Sequence, residues 1–484
     1  MLAHLIRKEI LDQILSLRFL VLSLIGAVAI WLSLASGLTF YRTQVRDYRA
    51  SQALSDQHLR HLAEADKVSP WNPFMELNHN PGLANKPPTP MCIFVRGLEP
   101  GLGRSIPAWG DRGSGRPELS PLAVSPLLGV LSTLDLTVVV QVLFGLFVLL
   151  YTFDAICGEK ERGTLRLVAS FPVPRHRLIF GKFLGAVIPI VTAFGVAVLA
   201  GIAVVLTLPN VALSDSDLLR LGAILLVSVV YMSTCACAGL LASCLTRGSA
   251  AAFVLLLSFW VSTVVVLPRV SFIAADAMRP APSVHEHLAE NARLGTERLE
   301  KHRELRRAWQ ETHSVEGQEF WRTPEGRESF RLFYHDARYV ADESVEPAFR
   351  RLEESYKNRY QARFELAVAL ARPSPAFALK NAIVRVAGTG MTRDRRFREA
   401  YERYLVMRTD WFRNGSTQFT LKQANPGKYG EPEWVLPELQ PFSYAQPVLA
   451  EDVQSALLDF TLIVIWGALF LFGAAFVVLR YDVR

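Results

Sequence analysis

Six long apolar runs constrain this 484-residue chain more than any other feature of its sequence. A helix needs about 20 apolar residues to cross the hydrocarbon core of a bilayer. Together with 51% hydrophobic residues and a mean hydropathy of +0.22, the runs predict an integral membrane protein of the mainly α class, with six transmembrane helices. We place these helices at residues 19–41, 127–153, 183–208, 218–246, 251–269 and 456–479.

The first 18 residues differ from these runs, since apolar and charged side chains recur there at helical spacing. Leu2, Ile6 and Ile10 fall on one face, and most charged side chains fall on the other. This pattern predicts an amphipathic interface helix at residues 1–18, lying on the membrane surface. The run that follows is too long for the apolar core of a signal peptide, so we expect it to be retained as the first transmembrane helix.

Two long polar segments interrupt the apolar runs. Residues 42–125 are rich in proline and predict an exposed, partly irregular segment with a short strand at residues 92–95. Residues 270–450 have helical periodicity over most of their length, including a helix at residues 376–386, and predict a mostly helical domain. We expect the two segments to fold together as one external, mostly helical domain of α+β structure.

Lysines and arginines near the ends of the runs predict the orientation, because short cytoplasmic segments are enriched in them. Basic side chains cluster in residues 1–18, in residues 154–182 and at the C-terminus, whereas the connection at residues 209–217 has none. Both termini and residues 154–182 are therefore predicted to face the cytoplasm, and the two polar segments to face outward.

Several functional classes are disfavoured by the sequence. The net charge of +7 is spread over the chain and forms no basic stripe, so nucleic-acid binding is not expected. Gly181 and Lys182 are followed by Phe183, whereas a phosphate-binding loop requires serine or threonine there, so we expect no ATP site of this type. We find no catalytic constellation and predict no metal site. Cys92 lies away from the apolar runs, and we expect its thiol to be accessible.

Asp135, Arg220 and Asp459 are charged residues within the predicted transmembrane helices, each near an outer end. Such side chains usually reach water at the interface, so interfacial solvation is the first interpretation. The alternative is that these three residues line the outer mouth of a substrate path.

The charged interval at residues 158–182, here called the elbow, separates two apolar runs and has an ordered set of side chains. Glutamates open it, Pro172 and Pro174 follow, and basic residues close it. Each part has a structural explanation, since acids favour the start of a helix, prolines end a helix and basic residues anchor the next span at the headgroups.

The order of these residues resembles the first cytoplasmic loop of type-2, exporter-like ABC transporter permeases. The matching positions are Glu159-x-Glu161-x-Gly163-Thr164-Leu165, then Pro172-Val173-x-Arg175, then Gly181-Lys182. In that family the loop contains a coupling helix that inserts into a groove of the ATPase subunit, and an N-terminal amphipathic helix packs against the same subunit. The resemblance implies that the contacts of this chain with an ATPase lie at Glu159, Glu161, Gly163, Thr164, Leu165 and Arg175.

The second polar segment resembles one subgroup of that family. Ser374-Pro375, Ala387-Gly388-Thr389 and Phe397 are similar to the insertion of the subgroup with a large extracytoplasmic domain. The resemblance implies a multi-pass permease subunit in the cytoplasmic (inner) membrane of a bacterium, exporting an amphipathic or lipid-like substrate. Such a subunit is no enzyme itself: it works beside membrane lipid with a second permease, identical or homologous, and with a dimer of ATPase subunits that hold ATP and magnesium.

Two alternatives remain open at this point. In the first, an ATPase moves the external helices against an envelope partner, and no substrate is transported. In the second, the chain is a membrane sensor outside the ABC transporters, which predicts that no ATPase copurifies with it.

Overall fold

A computed structural model describes residues 2–65, 82–108, 134–164, 174–209, 211–315, 318–319, 323–424, 440–444 and 449–480 of the chain. These residues are mostly helical, and six of the helices are long and apolar enough to cross a membrane. The mainly α class with six transmembrane-length helices is therefore confirmed.

The elements of the described residues follow in chain order. The N-terminal part contains α1 (Leu2–Ile14), α2 (Leu17–Ala65), β1 (Gly82–Asn85) and β2 (Ser105–Ala108). Helix α3 begins with Leu136–Val138, is π-helical over Val139–Phe144 and ends with Gly145–Thr152. It is followed by α4 (Cys157–Glu161), α5 (Arg175–Leu206), α6 (Asp215–Leu245), α7 (Ser249–Met278), α8 (Val284–Thr312), β3 (Ser314–Val315), β4 (Gln318–Glu319), α9 (Pro324–Ala371), α10 (Pro375–Val386), α11 (Met391–Ala424) and α12 (Leu449–Arg480).

Helices α3 and α6 form the centre of the helical core. In the most apolar stretch of each, 61% and 67% of the residues are buried inside the chain, against 22% for α2, 17% for α7 and 11% for α12. Helix α6 packs along α12 and α3, and α5 packs on α1, α2 and α6. The outward faces of α2, α7 and α12 are therefore apolar and uncovered, as contact with lipid or with another subunit requires.

Two of the apolar helices continue well past the predicted ends of their spans. Helix α2 continues beyond residue 41, the predicted end of its span, as far as Ala65. Helix α7 continues beyond residue 269 as far as Met278. Polar sequence continues α2, because the backbone hydrogen bonds of a helix do not require apolar side chains, whereas a mostly apolar stretch containing Ser271 and Asp276 continues α7. Helix α9 then packs against both α8 and the end of α7.

The prediction of a strand at residues 92–95 is wrong. Pro90–Ile93 form a 3-10 turn, and the apolar side chains of the turn and of the next two residues are buried against α2. A Cβ at Gly37 of α2 would lie 1.9 Å from the carbonyl oxygen of Ile93, so the glycine permits this close contact. An apolar run with high strand propensity is buried here by packing from several sides and not by strand pairing.

The two polar segments contact each other. Strands β1 and β2 pair antiparallel, with Gly82 opposite Ala108, and Phe397 of α11 packs in one cluster with Ala84 and Ile106. The next helix is found where the sequence predicts it, since α10 covers Pro375–Val386. Helix α10 turns back toward the apolar helices and packs against α6, α7 and α12.

Candidate functional site

The elbow is described at residues 158–164 and 174–182. Its first part forms most of α4, which is followed by Gly163 at a φ of +73°. A positive φ favours glycine, and a Cβ at this position would meet no atom within 4 Å, so this corner of the elbow is open. Of the predicted contact residues, Leu165 lies outside the described residues, and Arg175 begins α5 with its side chain outside them.

Glu159 lies in a buried group of three charges. The Nζ atom of Lys182 lies 2.7 Å from Oε1 of Glu159 and 3.2 Å from Oε1 of Glu9, and the side chain of Lys182 is only 4% exposed. A Cβ at Gly185 would lie 2.5 Å from Cβ of Glu9, so a glycine lets α1 cross α5 closely at this point. The lysine thus joins α4 to both α1 and α5.

Lys160 and Glu161 bind the ends of two further helices. Nζ of Lys160 donates to the carbonyl oxygens of Cys244 at 2.6 Å and of Thr246 at 3.0 Å, where the C-terminus of α6 leaves carbonyls without helical partners. Glu161 accepts from the backbone N–H of Ser249 at 2.8 Å and from its hydroxyl at 2.9 Å. A carboxylate at the N-terminus of α7 satisfies free N–H groups and complements the helix dipole.

These contacts form what we call the elbow junction: Glu159, Lys160 and Glu161 with their partners Glu9, Lys182, Ser249 and the end of α6. Three consecutive side chains bind four helices, namely α1 and α5 through Lys182, α6 through Lys160 and α7 through Glu161. A displacement of α4 would therefore act on all four helices at once. The residues after α4, Gly163 and Thr164, are exposed.

The sequence singled out Glu159 and Glu161 but not Lys160, Lys182 or Glu9 as members of one site. Lys182 enters the sequence analysis as a basic residue near a span end, as part of a failed phosphate-loop match and as part of the Gly181-Lys182 match to the family loop, and not as a contact residue. Its partner Glu9 lies 173 positions away in the sequence, and no periodicity or motif links residues at that distance. A charged residue on the apolar face of an amphipathic helix is the one sequence signal that points to such a buried pair.

The three charged residues near the outer ends are buried, so the expectation of interfacial solvation is wrong for them. Asp135 caps α3 by accepting from Val138 N at 3.0 Å and also accepts from Arg96 N at 3.2 Å. Arg220 lies 2.7 Å from Asp452. Arg96 belongs to the loop between β1 and β2, whereas Val138 lies in α3 itself and Asp452 at the start of α12.

Asp459 is fully buried, and its carboxylate is held by α10 and by the residue that follows α9. Arg372 Nε donates to it at 3.1 Å and Asn381 Nδ2 at 2.7 Å, while Arg385 Nε lies 3.8 Å away. Arg220 and Asp459 both reach α10, Arg220 at the carbonyl oxygen of Val386 and Asp459 at Asn381 and Arg385.

The turn between α9 and α10 enters the group of apolar helices. The indole N–H of Trp466 donates to the carbonyl oxygen of Pro373 at 2.9 Å, and the hydroxyl of Ser374 donates to that of Thr263 at 2.5 Å. Trp466 lies 14 residues before Arg480, the last residue of α12, and Thr263 lies 14 residues after the start of α7. At 1.5 Å per residue, the turn lies about 21 Å from the end of α12 and about 21 Å from the start of α7. The bilayer core that these helices cross is about 30 Å thick.

Cys92 is fully buried, so the expectation of an accessible thiol is wrong. Burial is the main reason that the pKa of this thiol is raised to about 12. The other four cysteines are buried as well.

Comparison with known families gives two matches along the chain. Residues 3–308 match the model described as ABC-2 family transporter protein, a stretch that includes α1, the elbow and the first five apolar helices. Residues 286–434 match a domain of unknown function, DUF3526.

Two curated bacterial proteins are similar to a limited part of the chain. A probable ABC transporter permease protein NosY of Pseudomonas aeruginosa is 36% identical over 103 residues, which cover 20% of this chain and 38% of that relative. The protein of the same name from Stutzerimonas stutzeri is 40% identical over 62 residues, or 12% of this chain and 22% of that relative. The similarity thus spans well under half of either relative.

Proposed function

Because the chain belongs to the ABC-2 transporter family, we propose that it is the transmembrane permease subunit of an exporter driven by a separate ATPase subunit. Membership of this family excludes the alternative of a sensor outside the ABC transporters. The proposal rests above all on the elbow junction, in which the consecutive side chains of Glu159, Lys160 and Glu161 link α4 to four other helices. ATP and magnesium belong to the ATPase in this proposal, and this chain contributes no catalytic residue.

The elbow junction supports a mechanical role for the elbow. In our proposal, the exposed residues Gly163 and Thr164, together with Leu165 and Arg175, meet the ATPase. Glu159 and Glu161, also predicted as contacts, act mainly by fixing α4 to its neighbours. Closure of an ATPase dimer around ATP displaces the elbow, and the junction moves the ends of α5, α6 and α7 together between two states.

The position of α1 supports the proposed topology. The bond between Glu9 and Lys182 places α1 at the same end of the helical core as the elbow. We propose that this end faces the cytoplasm of a bacterium and that the chain spans its inner membrane. The uncovered apolar faces of α2, α7 and α12 provide surface for lipid and for a second permease, identical or homologous.

One observation favours transmission of force to an envelope partner as the second candidate function. The turn before α10 binds α7 and α12 through Ser374 and Trp466, and Asp459 binds α10 through Arg372 and Asn381. Movement of α7 and α12 therefore reaches the helices of residues 270–424 through polar contacts. ATP-dependent efflux of fluorescent lipid analogues from proteoliposomes favours export, whereas ATP-dependent changes confined to residues 270–424 favour transmission of force.

The first test is recovery of the ATPase. A tagged chain extracted in native lipid discs should copurify with an ABC ATPase, and repeated failure to recover one would overturn the proposal.

The second test separates transmission from binding. Lys160→Met removes both bonds to the end of α6, so the ATPase should still copurify while its activity no longer responds to substrate. Lys160→Arg is the matched control, because it keeps the charge and the donors. A substrate response of Lys160→Met equal to that of the unsubstituted chain would show that the junction does not transmit the movement.

A further inference from the structure

One side of α2 is apolar and exposed over most of its predicted span. Leu24, Val28 and Trp31 lie on this side and are 62%, 51% and 41% exposed. Ala35 and Thr39 continue it at spacings of four residues and are exposed as well. At about 100° of rotation per residue, these five positions fall within about 80° of the helix circumference and form one row, here called the apolar row. The described part of the chain leaves the apolar row uncovered, as contact with lipid or with another subunit requires.

Three arginines continue this row beyond the apolar part of α2. Arg42, Arg46 and Arg49, here called the basic row, follow Thr39 at spacings of three and four residues, and all three are exposed. The basic row begins directly after the predicted span at residues 19–41 and extends over about 10 Å along the helix. The headgroup layer on each side of a bilayer core is about 5–7 Å thick, so the basic row starts at the height of the headgroups.

The described residues around the basic row do not balance its charge. Of the three arginines, only Arg46 has a carboxylate within ion-pair distance among the described residues: its Nε lies 3.9 Å from Asp47 Oδ1, with the two side chains 81% and 58% exposed. An exposed pair of this kind contributes little. Asp47 also lies about 140° from Arg42 around the helix, on a side where its charge acts on Arg104. Most of the positive charge of the basic row is therefore left for a partner outside the chain.

Acidic side chains at the ends of neighbouring helices serve other partners. Asp215 and Asp217 lie in the first turn of α6, where carboxylates complement the helix dipole, and Asp217 also completes the capping box. At the start of α12, Glu451 and Asp452 pair with Arg396 and Arg220.

Lipid fits this face of α2 better than a second copy of the chain does. In a two-fold assembly within one membrane, equivalent residues lie at the same height, so a contact through this face would bring arginines toward arginines. Like charges that meet across an interface disfavour the contact. An anionic phospholipid instead matches the face at both levels, because its acyl chains meet the apolar row and its phosphate meets the basic row.

We propose that the basic row binds the headgroup of an anionic phospholipid whose acyl chains lie along the apolar row. A guanidinium group donates paired hydrogen bonds to phosphate oxygens and keeps its charge at every working pH. Phosphatidylglycerol carries a net negative charge, whereas choline cancels the phosphate charge of phosphatidylcholine, so the basic row selects the former. This assignment leaves the uncovered faces of α7 and α12 for a second permease. It requires that α2 cross a membrane and does not depend on the proposed export function.

The test uses the full-length chain in nanodiscs that contain phosphatidylglycerol and phosphatidylcholine in equal amounts. Thr39, which lies on the apolar row about 4.5 Å before Arg42, is replaced with the photocrosslinker benzoylphenylalanine. After irradiation, mass spectrometry identifies what lies against this face, since a phospholipid adds its own mass and a second copy gives a cross-linked dimer. We expect lipid adducts in which phosphatidylglycerol exceeds phosphatidylcholine at least about fivefold, the factor that a single basic residue contributes near an anionic lipid.

Charge-removing variants assign this preference to the basic row. With Arg42→Gln, Arg46→Gln and Arg49→Gln combined, lipid adducts should persist while the ratio of the two lipids falls to about one. Arg60→Gln is the matched control, because Arg60 is exposed on the same side of α2 but lies about 27 Å beyond Arg42, out of reach of the headgroups. It should keep the preference, as should the combined replacement of the three arginines with lysine. Dimers in place of lipid adducts, no lipid adduct, no preference in the unsubstituted row, or an equal loss of preference with Arg60→Gln would overturn the proposal.

Discussion

Replacing Lys182 with methionine keeps most of the length of the side chain and removes the charge that Glu9 and Glu159 share. The lysine side chain is 4% exposed, and those of the two glutamates are 21% and 18% exposed. The change removes two charge-assisted hydrogen bonds, each worth about 1.5–3 kcal/mol, and leaves two carboxylates together in a poorly hydrated site. We expect a loss of about 3–5 kcal/mol in the free energy of unfolding, the usual cost of removing one partner from a buried ion pair.

The size of this loss can be assigned to its cause with a second variant. Adding Glu9→Gln and Glu159→Gln to Lys182→Met neutralises the stranded carboxylates, so the triple variant should recover most of the lost stability. Unfolding by sodium dodecyl sulfate in mixed micelles gives the free energies, and limited proteolysis reports whether α1 detaches from α5. A loss below about 1 kcal/mol for Lys182→Met, or a triple variant no more stable than the single one, would refute the reasoning.

Three further predictions concern the residues beyond the elbow. With a pKa of about 12, the thiol of Cys92 stays protonated and buried at about pH 8, so N-ethylmaleimide should modify it only after denaturation, and rapid labelling of the native chain would contradict its burial. Burial raises the pKa of Glu99, but Lys86, Arg393 and Arg104 together outweigh this effect, and the pKa lies below its ordinary value. The carboxylate therefore stabilises the fold at neutral pH and loses this effect as the pH falls through the folded-state pKa. In Glu99→Gln, the melting temperature should fall less steeply as the pH is lowered below neutral. An unchanged dependence on pH would contradict the pairing of this carboxylate. Gly388→Ala should cost about 1–2 kcal/mol because the φ of Gly388 is positive. Gly195→Ala, inside α5 and with an added Cβ that meets no atom within 4 Å, should not lower the melting temperature, and an equal loss in both variants would contradict the strain.

The apolar helices could be predicted from the sequence because their signal is local and long. A run of about 20 apolar residues has few other stable states in a membrane, whatever the rest of the chain does. Helix α10 was predictable for a similar reason, since apolar residues recur at helical spacing between the prolines at 373 and 375 and the glycine at 388. The same periodicity does not reveal that this helix packs among the ends of α6, α7 and α12.

The contacts of the charged residues could not be predicted, because their partners are remote in sequence. Glu161 binds a residue 88 positions away, and Arg220 binds a carbonyl 166 positions away. Without these partners, a charge near the end of an apolar run is most simply explained by water or headgroups. The stretch at residues 92–95 was mistaken for a strand because local propensity does not register burial on several sides.

The elbow illustrates both what the sequence could predict and what it could not. The resemblance to a family located the segment and drew attention to its two glutamates. It did not show that Lys160, between them, holds the end of α6, since a lysine near a membrane surface has many ordinary explanations.

The unbroken length of α2 makes this helix a lever. Its 49 residues extend over about 74 Å, of which a bilayer core takes up about 30 Å, so an arm of about 40 Å continues beyond the apolar part. A rotation of about 5° around the apolar part carries the tip of such an arm through about 3.5 Å, comparable to the width of a side-chain contact. A small rotation of α2 thus produces a displacement at its far end that is large enough to make or break packing contacts there.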